Sequence, residues 1–328
     1  MVIAPIRALI SMLMLLTLAV PVGMAQETDA PVEQARDSVV TVYTYRPGGP
    51  FSRGQTGRAP SGAGSGWVYD EGLVVTNAHV VDSAEEISVV TTTGDLIPAR
   101  VVGSDWYQDV AVLHLNPDDP DDLPPPLPMG DSSEVEVGEP VVAIGTPHGQ
   151  FADTVSEGEV LAIDQRINTG QGYSVLNLIR HSALLAPGNS GGPLVNAAGE
   201  VIGMNVASRR SGDDDVQQSP IGFAIAGETF VPLVEEIVET GAVARPWLGV
   251  TTRLVNGETV VRTVESGSPA ANVGIEEGDR IVAVDGEPVT WAAPFIDLLY
   301  QHVPGDEIVL TIERSDTEIE VPVDLDIR

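Results

Sequence analysis

The chain contains no cysteine, which excludes disulfides, thiolate metal sites and cysteine nucleophiles together. It contains no lysine either. All 16 basic residues are arginine, against 48 Asp and Glu, and the net charge is −32. So acidic a surface does not neutralise phosphates, so nucleic acid is not an expected partner. Beyond the N-terminus no stretch is long and apolar enough to span a bilayer, which takes about 20 residues. What remains is the make-up of a globular protein, 43% hydrophobic over 328 residues, a length that suggests two domains after any targeting segment. The acids are spread along the chain rather than gathered in one run. This favours a salt-adapted surface over a local acidic face for a cationic partner.

At the N-terminus Arg7 precedes an apolar run from Ala8 to Val20, followed by Pro21 and the small-residue pattern Gly23-Met24-Ala25. This reads as a signal peptide of residues 1–25 and implies a secreted or extracytoplasmic protein. An uncleaved N-terminal anchor is the alternative, and only then is membrane contact expected.

Residues 31–37 suit a short helix before a strand over Ser38–Tyr45, and residues 46–66, rich in Gly, Pro, Ser and Arg, predict an exposed loop. Short strands are then expected at 67–69, 73–76, 87–93, 97–102, 110–115, 141–144, 158–164, 175–181, 192–196, 201–206 and 221–226. Many short strands separated by turn residues indicate a mostly β barrel or sandwich. The acidic, proline-rich stretch 116–128 reads as an interdomain linker or, since strands of the same character continue after it, as a surface crossover between two barrels of one domain, and 209–219 as a second polar loop. Apolar residues at Phe230, Leu233, Val234, Ile237 and Val238 predict a helix over 228–240 stopped at Gly241, with Pro232 near its first turn. From about Arg245 a separate α/β unit of roughly 80 residues is expected.

Three segments carry the chemistry: Thr76-Asn77-Ala78-His79-Val80-Val81, Asp109-Val110-Ala111-Val112-Leu113 and Gly188-Asn189-Ser190-Gly191-Gly192-Pro193-Leu194. Acyl transfer by serine needs a hydroxyl, a base, a carboxylate orienting that base, and donors for the oxyanion. His79, Asp109 and Ser190 supply the first three in the chain order of a chymotrypsin-type triad. The glycines around Ser190 let backbone N–H groups converge. Gly62, Gly64 and Gly66 do not make a phosphate loop, since neither a following helix nor a lysine is present. His114, His148, His181 and His302 lack metal-ligand spacing and read as structural or surface residues. No metal or other cofactor is expected.

These segments resemble those of the HtrA/DegP serine proteases: TNAHVV, DVAVL and GNSGGPL. The resemblance extends through Gly64-Ser65-Gly66-Trp67-Val68, Gly199–Asn205 and Gly222-Phe223-Ala224-Ile225, and covers the chain from about Pro31. It implies a chymotrypsin-like double β-barrel with Ser190 as nucleophile, His79 as base and acid, Asp109 as orienting acid, and an oxyanion hole from the N–H groups of Gly188 and Ser190. The specificity pocket would take in Leu185, Val206, Ala207 and Ser208. Shortly before the nucleophile loop, where the family often has an aspartate, the stretch is Arg180-His181-Ser182-Ala183, and Arg209 and Arg210 near the pocket leave cleavage preference open.

Residues 245–328 resemble a PDZ domain. Arg245 to Val250 is similar to the carboxylate-binding loop and following strand, with Trp247, Leu248, Gly249 and Val250 as peptide-binding candidates. Ser268-Pro269-Ala270-Ala271 and Gly278–Gly286 match the family's SPA and GDxIxxxNG runs, with Asp285 where Asn is common. The groove helix is placed at Ala293–His302. Such a site captures a peptide C-terminus while the peptide adds a strand to the sheet edge. The domain limits are then 26–241 for the protease and 242–328 for the PDZ unit. The resemblance implies an ATP-independent endopeptidase acting on unfolded or misfolded extracytoplasmic proteins, assembled as a trimer, with Tyr43, Tyr45 and Phe51 as candidate interface aromatics. A chaperone or peptide-binding scaffold with latent proteolysis is the alternative.

Overall fold

The computed structural model describes residues 30–46, 60–119, 123–146, 154–168, 173–206 and 221–327. Residues 1–25, Phe51, His148, Ala207, Ser208 and the loop 209–219 lie outside the described residues.

A short helix, α1 (Ala30–Ala35), leads into six strands: β1 (Val39–Tyr45), β2 (Gly62–Asp70), β3 (Leu73–Thr76), β4 (Glu86–Val90), β5 (Leu96–Asp105) and β6 (Val110–Leu115). They close a barrel in the order β1-β2-β3-β6-β5-β4. One helical turn, α2 (Ala78–Val81), follows β3. A second barrel is built from β7 (Pro140–Gly145), β8 (Thr154–Asn168), β9 (Ser174–His181), β10 (Pro193–Val195), β11 (Val201–Val206) and β12 (Gly222–Ala226), ordered β10-β11-β12-β9-β8-β7. Residues 116–119 and 123–139 lie in the chain between the last strand of the first barrel and the first strand of the second. Closing each sheet on itself removes exposed strand edges.

Helix α3 (Gly227–Thr240) follows the second barrel. Its apolar face buries Phe230, Val234 and Ile237, and Phe230 meets the fully buried Trp67 of β2 edge-on, ring centres 5.6 Å apart. Gly241 ends the helix with φ +85°, a left-handed cap that glycine adopts freely. Pro232 is the helix's sixth residue, past the expected first turn, where its missing N–H removes one helical hydrogen bond.

The C-terminal unit has its own core around Leu248, Phe295, Leu298, Ile308 and Leu310. Its strands are β13 (Pro246–Trp247), β14 (Val250–Val255), β15 (Glu258–Val264), β16 (Arg280–Val284), β17 (Glu287–Pro288), β18 (Glu307–Arg314), β19 (Thr317–Asp324) and β20 (Asp326–Ile327). The main sheet runs β14-β15-β16-β18-β19, and β17 pairs with β16. Its helices are α4 (Pro269–Asn272), capped by Ser268, and α5 (Phe295–Leu299). α5 is half the length expected, because Pro294 fixes its start and the chain turns from Tyr300 toward Pro304-Gly305. Asp285, with φ +48°, and Gly286, with φ +80°, form the tight turn between β16 and β17. An Asp-Gly pair suits two consecutive positive φ angles.

The expected loop over 46–66 is corrected at its end: Gly62–Gly66 belong to β2. The glycines there serve close packing. A Cβ on Gly66 would lie 2.7 Å from Val74 Cγ1, and one on Gly64 2.6 Å from Val80 Cγ1.

Candidate active site

Strand pairing places the first two candidate groups on one rim. Thr76 at the end of β3 sits opposite Ala111 near the start of β6, so the turn into α2 meets the loop before β6. Asp109, the last residue of that loop, gathers the turn around itself. Its carbonyl accepts from the Ala78 N–H at 3.2 Å and from Asn77 Nδ2 at 3.0 Å. Its Oδ1 accepts from the His79 N–H at 2.8 Å, and its Oδ2 lies 2.7 Å from His79 Nδ1. The Asp109 side chain is 14% exposed and that of His79 is 50% exposed. Burial disfavours the imidazolium of His79 and is the largest single effect. The hydrogen bond and charge of Asp109 together outweigh it, and the His79 pKa is raised above the ordinary imidazole value.

Ser190 lies in the turn leading into β10, and it is buried. That turn is stitched to the first barrel through Ser65 of β2. The Ser65 N–H donates to the Ser190 carbonyl at 2.8 Å, and Ser65 Oγ donates to the Gly188 carbonyl at 2.6 Å. Ser65 Oγ in turn accepts from the Thr146 N–H at 2.8 Å. Gly191 has φ +84°, and a Cβ there would lie 2.3 Å from both the Ser65 carbonyl oxygen and Thr76 Oγ1. Gly188 has φ +107°. Both glycines hold conformations other residues adopt with strain. Gly64 joins the two rims: its missing Cβ leaves room for Val80, the neighbour of His79, and would stand 3.3 Å from the Ser190 carbonyl oxygen. The nucleophile turn is braced on its far side by Asn205. Its backbone pairs with Gly191 and Gly192, and its Nδ2 donates to the Pro193 carbonyl at 2.8 Å.

Ser65, Thr146, Asn77 and Asn205 escaped the sequence reading as supports of the site. Ser65 and Asn205 lay within stretches resembling the HtrA pattern, but nothing local marked their partners, which are up to 123 positions away.

Among the other candidates, Leu185 packs partly buried against the second barrel's core, and Val206 against the core between the barrels. In the C-terminal unit Leu248 is buried, Trp247 and Val250 are half-buried, and Gly249 takes φ +84°. Val250 opens β14, the last strand on one side of its sheet. Arg245 is not turned to this loop: it is paired with Asp105 of the first barrel at 2.6 Å. Among the described residues no cluster of three or more His, Cys, Asp or Glu is arranged to hold a metal ion.

Two six-stranded barrels, with an imidazole–carboxylate pair on one and a glycine-bracketed serine on the other, define a trypsin-like serine peptidase, here followed by a small sheet domain. Residues 64–204 match the trypsin-like peptidase domain family and residues 246–325 the PDZ domain family. The chain is 35% identical over 286 residues to the serine protease Do-like HtrA of Lactobacillus helveticus, covering 80% of this chain and 68% of that protein. It is 34% identical over 305 residues to a probable periplasmic serine endoprotease, DegP-like, of Hahella chejuensis, covering 88% and 62% respectively. The solved HtrA-type protease AlgW with a decapeptide superposes with a TM-score of 0.62 at 29% identity, covering 91% of this chain and 98% of that one. The chain belongs to the HtrA family and is a serine endopeptidase carrying one PDZ domain.

Proposed function

We propose that Ser190, His79 and Asp109 are the catalytic triad of this endopeptidase. The observation that carries the reading is the grip of Asp109 on His79, which engages both the ring Nδ1 and the backbone N–H. With Nδ1 committed to the carboxylate, Nε2 is the nitrogen left to take a proton. Ser190 Oγ attacks the scissile carbonyl carbon as its proton passes to His79 Nε2. The oxyanion is received by the N–H groups of Gly188 and Ser190. Collapse of the tetrahedral species breaks the C–N bond, and the imidazolium gives its proton to the leaving amine. Water, deprotonated by His79, then releases the acyl group and restores Ser190. Leu185, Val206, Ala207 and Ser208 are the proposed walls of the specificity pocket.

Unfolded or misfolded polypeptides are the proposed substrates, with the loop Trp247–Val250 and the edge of β14 binding their C-termini. The AlgW structure with a decapeptide supports a peptide role for this architecture. The N-terminal pattern and the periplasmic designation of the Hahella relative support an extracytoplasmic site of action. Domain limits of 26–241 and 242–328, a homotrimer, and a salt-adapted surface complete the proposal.

The test is incubation of unfolded casein with wild type and Ser190→Ala, with labelling by an active-serine phosphonate. Cleavage and labelling by wild type alone are expected. Equal cleavage by Ser190→Ala would remove Ser190 from the mechanism.

A further inference from the structure

The loop that carries Asp109 is a four-residue hairpin, Trp106-Tyr107-Gln108-Asp109, closed by the pairing of Asp105 with Val110. Asp109 holds φ +58°, a left-handed conformation that disfavours a residue with a Cβ by roughly 1–2 kcal/mol. Contacts within the first barrel, from Asn77, Ala78 and His79 to Asp109 and from Gln108 to Asp105, hold the loop in this form, and further contacts reach it from outside that barrel.

Each residue ahead of Asp109 is engaged elsewhere. Trp106 stands edge-on to Tyr173, 5.1 Å between ring centres, and to Tyr300 at 6.1 Å. The Tyr107 ring meets Tyr300 at 4.7 Å, and its hydroxyl donates to Asp297 Oδ1 at 3.1 Å. Burial and the negative charge of Asp297 push the Tyr107 phenol upward, which keeps it a donor. Gln108 Oε1 accepts from the Leu176 N–H at 3.3 Å. The base of the loop is Asp105, 2% exposed. Its Oδ2 accepts from the Gln108 N–H at 3.0 Å. Arg245 forks onto the same carboxylate, Nε to Oδ1 at 3.1 Å and Nη2 to Oδ2 at 2.6 Å. The guanidinium lies 5.2 Å from the ring centres of both Tyr107 and Tyr300.

These partners come from three parts of the molecule. Tyr173 and Leu176 belong to the second barrel, Arg245 to the segment between α3 and β13, and Asp297 and Tyr300 to α5 and the turn after it. Asp297 is itself buried and further held by the Ser174 N–H at 2.9 Å and Arg166 Nη2 at 2.7 Å. A cavity of about 280 Å³ beside the loop is lined by Tyr107, Gln108, Arg166, Arg245, Asp297 and Tyr300 among others.

We propose that Arg245 and Tyr107 are positioning residues for Asp109, Arg245 acting through Asp105 and Tyr107 through its bond to Asp297. The docked PDZ unit thereby completes the support of the catalytic acid. The proposal rests on the assignment of Asp109 to the triad.

The test uses the full chain with Arg245→Ala, Arg245→Lys, Tyr107→Phe and, as control, Asp109→Ala. For each, kcat and KM on a quenched fluorescent peptide are measured across pH, with near-ultraviolet circular dichroism to establish the folded fraction. Misplacing a reacting group by a fraction of an ångström costs on the order of 10- to 100-fold in rate. Arg245→Ala is therefore expected to lower kcat by that order while KM moves less than about twofold. The acid limb of kcat/KM should shift to lower pH as Asp109 loosens its hold on His79. Arg245→Lys should recover part of both, and Tyr107→Phe should show a smaller change in the same direction. Folded Arg245→Ala or Tyr107→Phe protein with the wild-type acid limb overturns the proposal, whatever the change in kcat. If Arg245→Ala does not fold, Arg245→Lys and Tyr107→Phe decide by the same readouts. Asp109→Ala separates the two readings. An active Asp109→Ala protein removes the triad assignment and this proposal with it. An inactive one beside unperturbed Arg245 and Tyr107 variants removes this proposal alone.

Discussion

His79 and His181 occupy opposite electrostatic settings in one domain. Asp109 raises the pKa of His79, so the free base that the proposed triad requires is lost as pH falls through a value above the ordinary imidazole one. The acid limb of kcat/KM should therefore lie above about pH 6.5, and Asp109→Asn should move it downward, read from peptide hydrolysis across pH. His181 is fully buried, and neither ring nitrogen makes a well-aligned hydrogen bond. Burial pushes its pKa down to about 4, only partly offset by the neighbouring Asn205 side chain and Ala183 backbone. The unfolded chain binds this proton near pH 6.5, the folded chain only near 4. Stability from neutral His181 is therefore complete above 6.5 and declines as pH falls toward 4, by roughly 3 kcal/mol in all. His181→Gln should flatten that part of a urea-unfolding series between pH 7 and 4. An unchanged slope would place the proton elsewhere. Sequence separated these histidines by neighbours alone. TNAHVV with DVAVL marks a base, while nothing in Arg180-His181-Ser182-Ala183 says that the ring faces inward. Still less legible was Arg245 on Asp105, a pairing across 140 positions.

Among the elements, strands rich in β-branched residues were readable and polar or glycine-rich ones were not. β3, β6 and β11 begin and end where Leu73–Thr76, Val110–Leu115 and Val201–Val206 predict. β8 runs from Thr154 to Asn168, twice the expected span. Three register shifts against β9 break its alternation, and Asp164 and Asn177 take positive φ angles. β2 looked like loop because its glycines admit neighbours rather than bury side chains. In the PDZ unit the turn before β16 depends on Asp279, which is 2% exposed. Arg314 at the end of β18 forks onto it, Nε to Oδ1 at 2.7 Å and Nη2 to Oδ2 at 2.6 Å. Burial pushes this carboxyl up, but the bonds and charge of Arg314, with the Glu276 N–H, more than reverse it, and its pKa ends below the usual carboxylate range. Arg314→Ala leaves the carboxylate buried without its cation. The expected loss is about 2–3 kcal/mol, at the low side of such cases because Arg314 is one-third exposed. Urea unfolding of the variant checks this, and a change under 0.5 kcal/mol would reduce the pair to surface decoration.

For the whole molecule, a charge of −32 without a single lysine underlies the proposed salt-adapted surface, which a salt series tests. Salt shortens the Debye length from ~10 Å at 0.1 M to ~3 Å at 1 M, which screens repulsion among carboxylates across the molecule. The melting temperature should rise from dilute buffer to molar sodium chloride by at least ~2–4 °C, the equivalent of about 1 kcal/mol. A flat response would assign the acidity to a partner instead. The barrels and the PDZ unit meet around Trp106, which is 49% exposed and surrounded by Tyr107, Tyr173 and Tyr300, whereas Trp67 is sealed in the core beneath α3. Of the four tryptophans, these two differ in what they report once Trp247 and Trp291 are replaced by phenylalanine. Trp67 emission follows the melting of the barrels, while Trp106, half in water and close enough to three phenols to exchange excitation with them, changes brightness when the PDZ unit swings away. The polypeptide thus carries an optical gauge of its own domain geometry without any added label.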